Sequence, residues 1–348
     1  IYVNLLDDQT YTQLLARPSR ITDRIPAEFK SWVIIDEVQK IPELMDVIHQ
    51  LIEEKKIKFI LSGSSARKLK RSGANLLAGR AITKYLYPLR AVELGTDWDF
   101  SKAVRFGTLP FSWTTTNTQE YLSSYVKTYL KEEIEAEGLV RNLRQFARFL
   151  ESASFSHGQV LNISNVANDC QVERKVVEGY FKILDDLLLA VQVPTFKRRA
   201  KREVEQKPKF YFFDSGVFQT LRPKGPLDST AEIDGVAWEG LLLQELIAAN
   251  HYLNLEYGIY TWRNKKKFEV DFVLYGERGL KALEVKRSDR VRDEDLEGLL
   301  EFEKIYPEAT LYFLYGGDET FIKKNIHIMP LAKFLVQNEI YSSAKTAL

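Results

Sequence analysis

The run Trp32-Val33-Ile34-Ile35 constrains the fold most: four consecutive apolar residues, three of them β-branched, followed at once by the acids Asp36 and Glu37. An apolar run without alternation fits a strand covered on both faces, the usual condition of a parallel sheet. At the carboxyl end of such a strand, side chains face the crevice where open α/β sheets bind their ligands. The neighbouring sequence continues the pattern. Short strands are predicted at residues 2–5, 58–61 and 82–86, the last closed by Pro88. A helix is predicted over 42–54, with Leu44, Val47, Ile48 and Leu51 at helical spacing. Strands alternating with amphipathic stretches imply βαβ units and a parallel sheet.

At 348 residues the chain is too long for one typical domain. The polar run Thr114-Thr115-Thr116-Asn117-Thr118 breaks the pattern, and residues 223–228 form a Pro- and Gly-containing linker. Three parts are predicted: 1–112, 113–225 and 226–348. The middle part reads as helices. Tyr121, Leu122, Tyr125, Val126, Tyr129, Leu130 and Ile134 recur at helical spacing, and further helices are expected at 141–154, 163–168 and 173–186. Strands at 187–196 and 209–213 follow, an order that suggests a winged helix-turn-helix. The last part alternates again: helix 237–250, strands 259–263, 268–274 and 280–285, helix 294–305, strand 310–315 and helix 331–337. The expected class is multidomain α/β.

Composition excludes several functions. Lys and Arg number 49 against 48 Asp and Glu, so only a local patch, not the overall charge, could attract nucleic acid. The single cysteine, Cys170, falls in a helix-like stretch and reads as a small core residue; without a disulfide framework, a reducing, cytoplasmic compartment is expected. The four histidines lack metal-ligand spacing, and the longest apolar runs fall far short of a membrane span. No signal peptide is recognised. The chain begins Ile1-Tyr2-Val3 without methionine, which reads as a start inside a longer protein.

Val33-Ile34-Ile35-Asp36-Glu37 fits the Walker B pattern of nucleoside-triphosphate hydrolases. In that chemistry the first acid, Asp36, holds the Mg²⁺ shell, and the second, Glu37, orients the attacking water. A strand ending in a solvated acidic turn is the other reading of these five residues. The next strand ends in Ser62-Gly63-Ser64, where Ser62 could sense a γ-phosphate or simply serve the turn.

The ordered series of residues 33–39 (Val-Ile-Ile-Asp-Glu-Val-Gln) followed by Pro42, Leu61-Ser62-Gly63-Ser64-Ser65, Leu76-Leu77-Ala78-Gly79-Arg80, Tyr87-Pro88-Leu89, Glu93-Leu94, the pairs Tyr121-Leu122, Tyr125-Val126 and Tyr129-Leu130, Phe212-Phe213-Asp214-Ser215-Gly216, Trp238-Glu239 and Glu269-Val270-Asp271-Phe272 resembles a prokaryotic AAA-type ATPase family. Members of that family carry a C-terminal domain of unassigned function. The resemblance implies ATP and Mg²⁺ as cofactors, homo-oligomers as a common assembly, and a γ-phosphate-stabilising role for Arg80. An arginine paired with a surface carboxylate is the other reading of Arg80. The family pattern also requires a Gly-x-x-x-x-Gly-Lys-Ser/Thr phosphate-binding loop. No Gly-Lys-Ser/Thr occurs in these 348 residues, so tight ATP binding is not expected of them alone.

Two further patterns concern nucleic acid. A recognition helix is predicted at 172–184, with Val176, Val177, Phe181 and Leu184 facing inward and Arg174, Lys175 and Lys182 outward. Lys197, Arg198, Arg199, Lys201 and Arg202 follow where a wing would lie; seven basic residues fall between Lys197 and Lys209, against Glu203 and Glu205. Such a patch could neutralise phosphates, or be a solvated loop or a docking wing. Near the C-terminus, Asp271 and then Glu284-x-Lys286 on the adjoining strand resemble the PD-(D/E)XK nuclease superfamily. That resemblance implies Mg²⁺ held by Asp271 and Glu284, with Lys286 positioning water and Glu239 or Glu245 completing the metal site. A cross-strand ion pair is the bland alternative. The expected protein is an ATP-binding, DNA-associated ATPase with a nuclease-like C-terminal domain. A non-catalytic DNA- or protein-binding assembly module, or a nuclease with a degenerate ATPase, is the alternative.

Overall fold

The structure is a computed structural model that describes residues 1–63, 81–129, 134, 140, 142–197, 207–226 and 228–337. Two compact units result: residues 1–84 with 183–188, and residues 85–182 with 189–348.

In the first unit, β1 (Tyr2–Asn4), β2 (Trp32–Asp36) and β3 (Lys58–Leu61) form a parallel sheet in the order β1-β2-β3. Asp7 caps helix α1 (Asp8–Ala16) by accepting from the Thr10 N–H, and α2 (Leu44–Lys55) buries Leu44, Ile48 and Leu51. These helices cover one sheet face, where Val3, Val33 and Ile35 meet Leu14, Ile48 and Leu51 in one core. Among the described residues, Ile34 is half-buried and Ile60 is 47% exposed, so the double coverage expected of β2 is not seen. The expected strand at 82–86 is also absent. Among the described residues, 82–86 pair with no strand, and Ile82 and Leu86 are exposed.

The second unit begins with short helices: α3 (Ala91–Leu94), α4 (Phe100–Phe106), α5 (Pro110–Thr114) and α6 (Thr118–Ser124), the last running into a π-helical turn at Tyr125–Tyr129. The sequence reading carries the first part to residue 112, whereas contacts group 85–112 with this unit. The physical reason lies in two motifs. Arg90 pairs with Glu245, and Ser215 Oγ donates to the Ala103 carbonyl.

Helix α7 (Leu143–Ser154) precedes β4 (Gln159–Val160), α8 (Ile163–Cys170) and α9 (Arg174–Asp186). Strands β5 (Ala190–Val193) and β6 (Lys209–Phe212) then complete an antiparallel sheet in the order β4-β6-β5. Cys170 is buried, as expected. Val177 and Phe181 are buried, but Val176 is 38% exposed and does not face inward. Adjacent helical positions diverge by about 100°, so only one of the two valines can join Phe181 on the same face.

Helix α10 (Ser215–Leu221) and the long α11 (Thr230–Tyr252) lead into a six-stranded sheet. Its strands are β7 (Gly258–Arg263), β8 (Glu269–Gly276), β9 (Gly279–Val285), β10 (Thr310–Tyr315), β11 (Phe321–Lys323) and β12 (Ile326–Pro330), in the order β11-β12-β10-β9-β8-β7. β7, β8 and β9 are antiparallel, while β10 runs parallel to β9 and to β12. Helix α12 (Glu297–Ile305) packs Leu299 and Phe302 onto Val270, Val273 and Ala282, and α13 (Leu331–Val336) closes the described chain. Beyond β5, the Phe196 N–H donates to the Thr261 carbonyl and the Thr261 N–H donates to the Pro194 carbonyl, which ties the middle sheet to β7. No described helix is long and apolar enough to cross a membrane.

Candidate functional site

Two groups of sequence-predicted residues come together, one in each unit. In the first unit, parallel pairing brings the carboxyl ends of β2 and β3 side by side, with Ile35 opposite Leu61. Ser62, just past β3, therefore sits beside Asp36. Its N–H donates to the Ile35 carbonyl at 2.9 Å, and its carbonyl accepts from Val38 N–H at 3.0 Å. The Ser62 hydroxyl donates to Asp36 Oδ1, and the Tyr2 hydroxyl donates to Asp36 Oδ2 at 2.7 Å. The Ser62 and Tyr2 hydrogen bonds hold the Asp36 carboxyl below its ordinary value despite some opposing burial, so it is ionised at neutral pH. Glu37 takes the left-handed conformation, φ 58°, and its carboxylate accepts from the Gln39 side chain. A non-glycine residue there is held at a cost of about 1–3 kcal/mol. Tyr2 was missed in the sequence because nothing local shows that β1 lies next to β2. Arg80, with Ser64 and Ser65, lies outside the described residues.

These residues fit the acidic half of a nucleotide–Mg²⁺ site. One ionised carboxylate with a hydroxyl beside it stands at the end of the central parallel strand, followed by a second acid. The complementary Gly-Lys-Ser/Thr loop is not in this sequence.

In the second unit, a cavity of about 490 Å³ is lined by Lys209, Glu239, Glu269, Asp271, Glu284 and Lys286 among others. The antiparallel β8–β9 register, in which Phe272 faces Leu283, puts Asp271 across from Glu284. Asp271 Oδ2 accepts from Val285 N–H at 2.9 Å. Lys286 Nζ lies 3.2 Å from Glu284 Oε1, as the two-residue spacing predicts. Glu239, from α11, accepts from the Tyr211 hydroxyl at 2.9 Å. Four predicted residues thus converge. Glu245 does not join them: it is buried against Arg90, Nε to Oε1 2.7 Å. Six positions along one helix turn through about 600°, which points Glu239 and Glu245 to different sides.

Lys209 is the residue that sequence reasoning misplaced. It was counted in the basic run of the wing, but it opens β6, is 8% exposed, and reaches into the cavity. Its Nζ lies 3.3 Å from Asp271 Oδ1 and 3.6 Å from Glu239 Oε2. Burial opposes its charge, but the surrounding Glu239 and Asp271 carboxylates prevail and raise its pKa above the ordinary value. Burial, then the charge of Asp271, pushes the carboxyls of both Glu239 and Glu284 upward. Glu284 holds the Lys286 ammonium above its ordinary value.

The Mg²⁺ site implied for Asp271 and Glu284 does not fit this arrangement. Among the described residues, no group of three or more Asp, Glu, His or Cys side chains is placed to hold a metal ion. Oxygens of Asp271 and Glu239 are turned to an ammonium instead.

Of the predicted nucleic-acid residues, Arg174 and Lys175 are exposed on the first turn of α9, as is Lys182 further along. Arg174 pairs with Glu178 at 3.0 Å. Lys197 is half-buried, and Arg198, Arg199, Lys201 and Arg202 lie outside the described residues.

Three families match successive segments of the chain. Residues 1–95 match a family described as an AAA domain. Residues 97–228 match a domain of unknown function (DUF8612), and residues 234–334 match another (DUF4143). The chain is 26% identical over 265 residues to "Uncharacterized protein Rv2008c" of Mycobacterium tuberculosis and to "Uncharacterized protein Mb2031c" of Mycobacterium bovis. Those alignments cover 74% of this chain and 58% of each relative's length, so the chain spans a little over half of the curated relatives it matches. The acidic strand end of β2 lies inside the matched AAA segment, so the likeness to AAA domains is confined to the first 95 residues.

Proposed function

We propose that residues 1–63 provide the hydrolytic acids of an AAA-type ATPase, with Asp36 as the Mg²⁺-shell ligand and Glu37 as the residue that orients the attacking water. The observation that carries this reading is the Asp36 carboxylate, kept ionised by Ser62 and Tyr2 at the carboxyl end of the middle parallel strand. Bound ATP with Mg²⁺ would supply the phosphoryl group and its neutralising charge. Ser62 is a positioning residue that fixes the Asp36 rotamer. The left-handed backbone at Glu37 is the kind of strain that accumulates at functional turns. The reading is tested by Glu37→Gln in the full-length protein, which should lose ATP turnover and keep ATP binding. Turnover at the wild-type rate removes Glu37 from the chemistry.

DNA association and a nuclease-like fold form the second part of the proposal. The order α11, β7, β8, β9, α12, β10, with only the last strand parallel to its neighbour, supports the nuclease-like reading. Cleavage is not part of it, because the carboxylates do not fit a metal site. Helices α8 and α9, set between β4 and the β5–β6 pair of one sheet, support a winged helix. On α9, Lys175 and Lys182 are seven positions apart and share one exposed face. If that face lies on DNA, replacing both with alanine should weaken binding and reduce the salt slope by up to about 2. An unchanged slope in a DNA-binding wild-type background would remove α9 from the interface.

A further inference from the structure

We propose that Lys209 is the built-in cation of the carboxylate cavity, and that divalent metal is excluded from that cavity while Lys209 is in place. Three carboxylates, Glu239, Asp271 and Glu284, line one cavity; Asp271 and Glu284 are 6% and 7% exposed, and the Glu239 side chain is 17% exposed. Like charges so placed need a cation or a proton. Glu284 meets Lys286 through one oxygen; its Oε2 is buried with no hydrogen-bond partner among the described residues. Asp271 and Glu239 meet Lys209, whose compact ammonium sits within 3.3 and 3.6 Å of their oxygens. A divalent ion would have to take those same oxygens at about 2.1 Å, and it could not do so beside an ammonium.

The cation comes from outside the sheet that holds Asp271 and Glu284. Lys209 belongs to β6, whose neighbours Phe210, Tyr211 and Phe212 are all buried. Tyr211, two residues on and therefore on the same face, donates to Glu239 and anchors the strand there. The cavity is thus completed by the segment that precedes residues 234–334, and its occupancy by an ammonium depends on where β6 sits. This inference rests on the cavity alone and is independent of the ATPase reading.

The test is Mn²⁺ titration of the 348-residue chain, followed by electron paramagnetic resonance and by the thermal midpoint. Wild type should show no Mn²⁺ binding that depends on Asp271. Lys209→Met should gain one Mn²⁺ site, at least about tenfold tighter than any in wild type, and adding Asp271→Asn should remove it. The thermal midpoint of Lys209→Met, lowered by the unpaired acids, should rise with Mn²⁺. Lys209→Gln, which keeps hydrogen-bonding capacity, provides the same readout if the methionine variant does not fold. Two results overturn the proposal: wild type binding Mn²⁺ in a way that Asp271→Asn abolishes, or a folded Lys209 variant gaining no site.

Discussion

Replacing Gly216 with alanine is expected to destabilise the second unit by about 3 kcal/mol or more, the upper end of what an overpacked site costs. A Cβ at Gly216 would lie 2.2 Å from the carbonyl carbon and oxygen of Phe106 and 2.6 Å from the Gly107 nitrogen. Those are backbone atoms at the end of α4, so no rotamer change relieves the clash. The surrounding motif exists for the same joint. Asp214 caps α10 by accepting from Val217 N–H and also accepts from Thr108 N–H at 2.8 Å, while Ser215 Oγ donates to the Ala103 carbonyl at 2.8 Å. Phe212-Phe213-Asp214-Ser215-Gly216 is therefore a structural clasp between α4 and α10. The thermal midpoint should fall by about 6–12 °C for a unit of this size. Gly179→Ala is the control: it sits in α9 with nothing within 4 Å of a Cβ, and should stabilise by about 0.5–1 kcal/mol. A midpoint for Gly216→Ala within a degree of wild type would refute the clasp.

Arg90→Met should cost about 3–5 kcal/mol, the usual penalty for leaving one partner of a buried ion pair behind. Arg90 and Glu245 are each 5% exposed, and Glu245 also accepts from the Ala91 N–H at 3.3 Å. Burial already pushes the Glu245 carboxyl up, against the opposing pull of Arg90. Without Arg90 its folded-state pKa rises further above the unfolded value. A group raised in this way is most favourable to folding below its unfolded pKa, and the benefit is lost as pH rises through the folded value. The deficit of Arg90→Met should therefore be greatest at neutral pH and shrink on acidification toward about pH 4. Arg90→Met combined with Glu245→Leu should recover much of the loss, since both charges are gone. Urea denaturation at two pH values checks each point, and a pH-independent deficit would count against the buried pair as its cause.

Long periodic segments were legible in the sequence. The β2 run, α2 and the order helix, three strands, helix, strand after residue 230 all follow from apolar spacing, and the Asp271, Glu284 and Lys286 convergence follows from strand alternation. The short helices α4, α5 and α10 were not legible. Five to seven residues give too few turns to show a period, and packing across the clasp supplies their stability. Residues 82–86 hold the β-favouring Ile82, Thr83 and Tyr85 yet form no strand among the described residues, because such composition does not specify a neighbouring strand. Lys209 was lost for a similar reason. Within a run of basic residues it looks solvated, and only its place as the first residue of β6 turns it toward the acids. Tyr2 became part of the Asp36 site only through the β1–β2 pairing.

ATP turnover by the full-length protein and its Glu37→Gln variant, measured beside ATP binding, tests the hydrolytic role of the β2 acids most directly. Loss of a residue that orients the attacking water should lower turnover by about 100-fold or more, with ATP affinity nearly unchanged. A full-length protein that hydrolyses no ATP, or a Glu37→Gln variant that turns over as fast as wild type, would contradict the assignment.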